Sequence, residues 1–164
     1  EVVEVPAPSR TVTVGFALIK GERPELVVQK LTELGVDRIL PLAAERSVVR
    51  WDEAKVASQY ERMVRVAREA GMQSRRVRLP EVAPVAPVVS LFDAAMAQPG
   101  GEVLGADVDV LLVGPEGGWT PEELQERRQI SLGSTILRAE TAAIAAGVLL
   151  VALRDGRVVK ADGD

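Results

Sequence analysis

Two stretches of this sequence are best suited to chemistry: Gly114-Pro115-Glu116-Gly117-Gly118-Trp119-Thr120-Pro121-Glu122-Glu123 and Leu132-Gly133-Ser134-Thr135-Ile136-Leu137-Arg138-Ala139-Glu140-Thr141-Ala142. Each reads as a glycine-bearing turn at the end of an apolar strand. Glycine lacks the β-carbon that would hold a ligand off, so such a turn lets a ligand approach bare backbone. The first stretch contains neither Gly-Lys-Ser/Thr nor Gly-x-Gly-x-x-Gly, and both standard phosphate cradles are therefore missing. Its amides and carbonyls suit a flat polar ligand such as an adenine. A tight strand-to-helix turn with no ligand is the other reading of an isolated Gly-Gly.

Composition narrows the chemistry further. The 164 residues include no cysteine and no histidine, which excludes thiol nucleophiles, imidazole bases and zinc sites of the Cys/His kind. The longest apolar run, residues 142–153, is too short to span a bilayer and reads as a buried helix. With no signal peptide in view, a cytoplasmic protein is expected. Net charge is −4, yet residues 46–78 hold nine Lys/Arg against four Asp/Glu. That local excess fits a phosphate-binding surface; a solvated, arginine-rich helix face fits it equally.

The elements that must position the two turns follow from periodicity. Residues 11–19 alternate as a strand, 24–34 form a helix with Pro24 in its first turn and Gly35 at its end, and 36–43 form a second strand. Strand, helix, strand in about thirty residues is a βαβ unit, which implies a parallel sheet. Asp52 caps a long helix whose Val56, Tyr60, Met63, Ala67 and Ala70 share one face, with Arg62, Arg65 and Arg68 on the other. A short strand is expected at 77–79, an extended connection at 80–89, a short helix at 90–97, and strands at 110–113 and 134–137. A final apolar helix covers about 140–153. Thr120 caps a helix with Pro121 at its first position. The class is α/β, with the glycine turns at the carboxyl ends of strands, where open parallel sheets bind ligands.

Taken together, the two stretches resemble the RsmE family of SPOUT-class methyltransferases, which methylate N3 of a uridine in 16S ribosomal RNA. Gln29-Lys30-Leu31-Thr32-Glu33-Leu34-Gly35-Val36, Glu45-Arg46-Ser47 and Glu69-Ala70-Gly71-Met72-Gln73-Ser74-Arg75-Arg76 fit the same family, so the resemblance covers residues 11–153. It implies a SPOUT-type parallel sheet flanked by helices, with a deep trefoil knot in the C-terminal segment. It further implies S-adenosyl-L-methionine as cofactor, a homodimer, 16S rRNA of the small subunit as partner, and no metal or membrane. Residues 11–155 would be the methyltransferase domain, 1–10 a remnant following a PUA-like domain, and 156–164 a tail; Glu1 as first residue fits a piece lacking that domain. Two departures stand out. Met72 occupies a position where the family has glutamate, and the intervals between Leu104 and Asp107 and between Glu123 and Leu132 are short, which points to loop residues absent beside Gly105 and Arg128.

The resemblance also assigns roles. Val113, Gly114, Pro115, Glu116, Gly117 and Gly118 would hold the cofactor on one side, and Leu132, Gly133, Ile136 and Leu137 would line its adenine side. Uracil N3 is poorly nucleophilic until its proton leaves, so the site needs a group that stabilises the anion. Arg138 is the first candidate, with a structural ion pair to Glu140 or Glu116 as its other role. Glu116 and Glu140 are candidates for proton transfer or for orienting the turn and Arg138. Trp119 is a lid or a packing residue. Arg46, Arg75 and Arg76 are candidates for rRNA phosphate contact. Without cysteine, C5 methylation through a covalent adduct is excluded, leaving N3 or ribose O2′. A ribose 2′-O or tRNA methyltransferase of the same fold, or a non-catalytic knotted RNA-binding module, are the alternatives.

Overall fold

The computed structural model describes residues 3–21 and 23–158; residues 1, 2, 22 and 159–164, and with them parts of the expected leading segment and tail, lie outside the description. The strands are β1 (Thr13–Ala17), β2 (Arg38–Ala43), β3 (Glu81–Val82), β4 (Ala86–Pro87), β5 (Ala95–Val103), β6 (Val110–Val113) and β7 (Gln129–Ser131). The helices are α1 (Arg23–Leu34), α2 (Glu53–Gln73), α3 (Pro121–Leu124) and α4 (Ala139–Arg154). All recorded strand pairs are parallel, in the order β3-β2-β1-β6-β5-β7, with β4 also paired to β2.

Alternation along β1 and β6 sorts the core onto two faces. Val14, Phe16, Leu111 and Val113 join α1, α2 and α4 in one apolar cluster, while Ala17, Leu112, Leu40 and Leu42 join Trp119 and Leu124 in the other. Burial of each large side chain in these clusters contributes roughly 1.5–3 kcal/mol. Chain direction also splits at the centre of the sheet. From β1 the chain crosses by α1 to β2, whereas from neighbouring β6 it crosses by α3, on the other face, to β7. The carboxyl ends of β1 and β6 thus flank a topological switch point.

Local signals placed most elements well. Asp52 accepts from the Lys55 amide at 2.8 Å at the start of α2, and Met63, Ala67 and Ala70 form that helix's buried stripe. Thr120 starts α3 with a full capping box, its hydroxyl accepting from the Glu123 amide while the Glu123 carboxylate accepts from the Thr120 amide.

Three expectations fail. Residues 90–97 are not a helix: a 3-10 turn at Val88–Ser90 leads into β5, because Met96 is fully buried between β6 and β7 and non-local pairing overrides local propensity. The strand expected at 134–137 is instead Gln129–Ser131, and the chain leaves the sheet at Gly133. Val77 and Leu79 are exposed, and pairing with β2 starts only at Glu81. The link between parallel neighbours β5 and β6, residues 104–109, is short for a crossover. Among the described residues no helix is long and apolar enough to cross a membrane.

Candidate functional site

β6 delivers Val113 into the turn of residues 114–119 at the carboxyl edge of the sheet. The Gly118 amide closes the turn on the Pro115 carbonyl at 2.9 Å, with Gly118 at φ +71°, where a β-carbon would be strained. Three neighbours fix this turn in place. Arg46 Nη1 donates to the carbonyls of Gly117 (3.3 Å) and Trp119 (3.1 Å). Glu123 Oε1 accepts from the Glu45 amide at 2.9 Å. Trp119, only 4% exposed, donates from Nε1 to the Ala97 carbonyl of β5 at 3.0 Å. Trp119 is therefore a packing residue rather than a lid.

The second turn follows β7. Ser131 Oγ accepts from the Gly133 amide and donates to the Gly133 carbonyl, and Gly133 sits at φ +150°. Residues 134–137 are irregular, and among the described residues none of their amides donates to another backbone group. Ile136 is 88% exposed. The chain re-enters the core at Ala139, the first residue of α4.

Between the two turns lies a cleft of about 160 Å³, floored by the β5 segment 97–99 and the start of α4. Val113, Gly114, Pro115, Glu116 and Gly118 line one wall; Leu132, Gly133, Ile136 and Leu137 line the other. Gly117 does not line it, since its α-carbon faces Arg46. Sequence reading missed the floor, because the helix expected at 90–97 overlaps the start of β5 and no element was expected at 98–103. The cleft is mostly apolar with converging backbone polar groups, the usual character of a small-molecule site. Among the described residues no group of three or more His, Cys, Asp or Glu side chains could hold a metal ion.

The charged candidates are arranged differently from expectation. Arg138 occupies the N-cap position of α4, exposed, and among the described residues its side chain has no hydrogen-bond or ion-pair partner. The structural ion pair to Glu116 or Glu140, the alternative role of Arg138, is not formed among the described residues, where Arg23 meets both carboxylates, at 3.6 Å and 3.8 Å. Glu116 is largely exposed, whereas the Glu140 side chain is 17% exposed and its Oε2 is buried without a hydrogen-bond partner. Arg23 was not singled out by sequence. The available signal was a cation in the first turn of α1, where the helix dipole disfavours positive charge unless carboxylates offset it.

Of the candidate phosphate contacts, only Arg46 stands at this edge. α2 starts there and runs back along the sheet, so Arg75 and Arg76 fall at the opposite edge. Arg75 is exposed, at φ +54°. Arg76 is turned inward with 13% of its side chain exposed; its guanidinium donates to the carbonyls of Thr32 and Val36 and pairs with Asp37. Burial pulls its pKa down, partly offset by Asp37. Arg76 thus ties the end of α1 to α2, with most of its guanidinium engaged by protein acceptors.

Residues 6–151 match the RNA methyltransferase domain family. A ribosomal RNA small subunit methyltransferase E from Mycobacterium bovis is 37% identical over 172 aligned positions, covering 87% of this chain and 63% of the relative. The alignment is longer than this chain, so the relative carries residues between matched segments that this chain lacks. A Legionella pneumophila methyltransferase solved with the bound cofactor SAM superposes with a TM-score of 0.81 at 31% identity, covering 87% of this chain and 66% of that one. A small subunit methyltransferase E from Neisseria gonorrhoeae bound to S-adenosyl methionine gives 0.77 at 30% identity, covering 88% and 67%. The chain spans about three fifths of the length of the curated relatives it matches. With its parallel sheet, its two glycine turns and these likenesses, the chain belongs to the RNA methyltransferase domain family and, within it, to the small subunit methyltransferase E group.

Proposed function

We propose that this chain is the methyl-transfer domain of an S-adenosylmethionine-dependent enzyme that methylates N3 of a uridine in 16S rRNA of the small ribosomal subunit. The observation that carries the reading is the cleft between the two glycine turns. Its residues fit the cofactor. Leu132, Ile136 and Leu137 offer an apolar wall for a purine, the 113–116 backbone faces them, and a β-carbon on Gly133 would project into open space, so the adenosyl group can lie against bare backbone there. When bound, S-adenosylmethionine supplies an electrophilic methyl group on a sulfonium. The protein's part is to orient the acceptor, exclude water and stabilise the uracil anion. Arg138, exposed beside the cleft with its donors uncommitted, is suited to the last task.

The same reading includes a cytoplasmic homodimer and a C-terminal trefoil knot. The return of the chain from β7 at the sheet edge to α4 packed over β1, β6 and α1 supports the knot.

Calorimetric titration with S-adenosylmethionine tests the cofactor assignment, and mass analysis of nucleosides from unmodified small subunits incubated with chain and cofactor tests the reaction. Binding lost in Gly133→Val together with 3-methyluridine as product is the expected result. A 2′-O-methylated nucleoside would replace N3 by ribose as acceptor, and binding with no transfer would favour an RNA-binding module.

A further inference from the structure

A second cleft opens on the other side of the Pro115-Glu116 wall. It lies between the segment that follows β1, the 48–49 loop and the first glycine turn, and Leu18, Lys20, Arg23, Val49, Pro115 and Glu116 are among its lining residues. Pro115 and Glu116 line both clefts, so the two clefts adjoin along this turn. The cleft also stands at the carboxyl ends of β1 and β6, the switch point where crossovers depart to opposite faces of the sheet. Its walls combine apolar Leu18 and Val49 with two cations. Among the described residues Lys20 has no hydrogen-bond or ion-pair partner, and Arg23 meets Glu116 and Glu140 at ion-pair separation without a hydrogen bond from its guanidinium. Among the described residues Arg23 is thus held in place electrostatically while its donors stay uncommitted.

We propose that this cleft is the acceptor-base subsite, in which Arg23 and Lys20 bind the carbonyl edges of a uracil and share with Arg138 the stabilisation of its N3 anion, with Glu116 and Glu140 positioning Arg23. The inference rests on the methyltransferase reading and extends it to the second substrate. In the step it describes, the uracil N3–H bond breaks first, its electron pair staying on the ring and its proton passing to solvent. N3 then bonds to the methyl carbon as the sulfur–methyl bond breaks and that electron pair returns to sulfur; the uracil anion and the sulfonium both end neutral. Two nearby cations favour the anionic form of the bound base and so promote its ionisation. Leu18 and Val49 keep the ring dry on its faces, which strengthens that attraction.

The test uses 5-fluorouridine 5′-monophosphate as probe, because its fluorine resonance reports N3 ionisation, with the 164-residue chain saturated by S-adenosylhomocysteine. The ionisation midpoint is expected to fall by about one pH unit relative to the free nucleotide, a tenfold gain in acidity. Arg23→Gln and Lys20→Gln should each return it toward the free value, Arg23→Lys should restore part of the shift, and Arg68→Gln on the solvent face of α2 should match the unaltered chain. An unmoved midpoint in the unaltered chain, or Lys20→Gln and Arg23→Gln behaving like the unaltered chain, would overturn the proposal. A parallel titration with S-adenosylmethionine separates the two levels. Failure of the methyltransferase reading shows as no cofactor binding, whereas failure of this inference shows as normal cofactor binding with an unmoved fluorine midpoint.

Discussion

The indole of Trp119 lies flat against Gly114: a β-carbon on that glycine would come within 2.9 Å of Trp119 Cε2. Because Trp119 Nε1 also donates to Ala97, the ring pins the first glycine turn to β5 and fixes one wall of the cleft relative to its floor. Gly114→Ala must push the ring aside, and overpacking of this kind costs about 1–3 kcal/mol. Thermal unfolding should register that loss, and calorimetry should show weakened S-adenosylmethionine binding. Trp119→Phe keeps most of the ring, removes one hydrogen bond, and should cost about 1 kcal/mol.

Glu123 ties the same turn to the segment that follows β2. Its carboxylate, on a residue 5% exposed, accepts from the amides of Glu45 and Thr120 at once. Glu123→Ala strands two donors, and with charged acceptors worth about 1.5–3 kcal/mol each, a total loss near 3 kcal/mol is expected from urea unfolding. Glu123→Gln retains one acceptor and should lose about half as much.

Arg75 and Arg76 are neighbours in sequence with opposite fates. Arg76→Met removes donors to Thr32 and Val36 and leaves the Asp37 carboxylate with Arg154 as its remaining cation, so a destabilisation of about 2–3 kcal/mol is expected. Arg75→Ala should leave stability within about 0.5 kcal/mol. If the candidate RNA surface follows the cleft edge, Arg46→Ala should weaken binding to small subunits and lower its salt dependence, while Arg75→Ala changes neither. Equal losses from both variants would move the RNA surface to the far edge of the sheet.

These contrasts show what the sequence could and could not convey. The βαβ unit, the Asp52 and Thr120 caps and the apolar α4 rest on contacts within a few residues, and spacing alone exposed them. β5 was illegible because Ala95 and Met96 become strand only through pairing with β6 and β7, and its bulge at Pro99 and Gly100 looks locally like a turn. The motif residues of both turns were legible as a set, and nine of the ten residues assigned to the cofactor line one cleft. Arg23 was not, since its partners Glu116 and Glu140 come from distant parts of the chain and meet it only once α1 and α4 pack together. The same limit hid the inward turn of Arg76, whose acceptors are carbonyls and leave no mark in the sequence.

Arg128 links β7 to the chain around the β5–β6 connection, pairing with Glu102 and donating to Asp107 Oδ2 at 2.5 Å. The hydrogen bond from Arg128 holds the Asp107 carboxyl below its ordinary range. A depressed folded-state pKa stabilises the protein above the unfolded value, about 3.9 for aspartate, and that contribution disappears as pH falls through the folded value. Acid titration of the unaltered chain should therefore show a stability loss below about pH 4 that is smaller in Arg128→Gln. Because both side chains are solvent-exposed, salt should shrink the difference between the two chains. A difference unchanged by salt, or one that grew as pH rose, would mean that another carboxylate governs the acid limb.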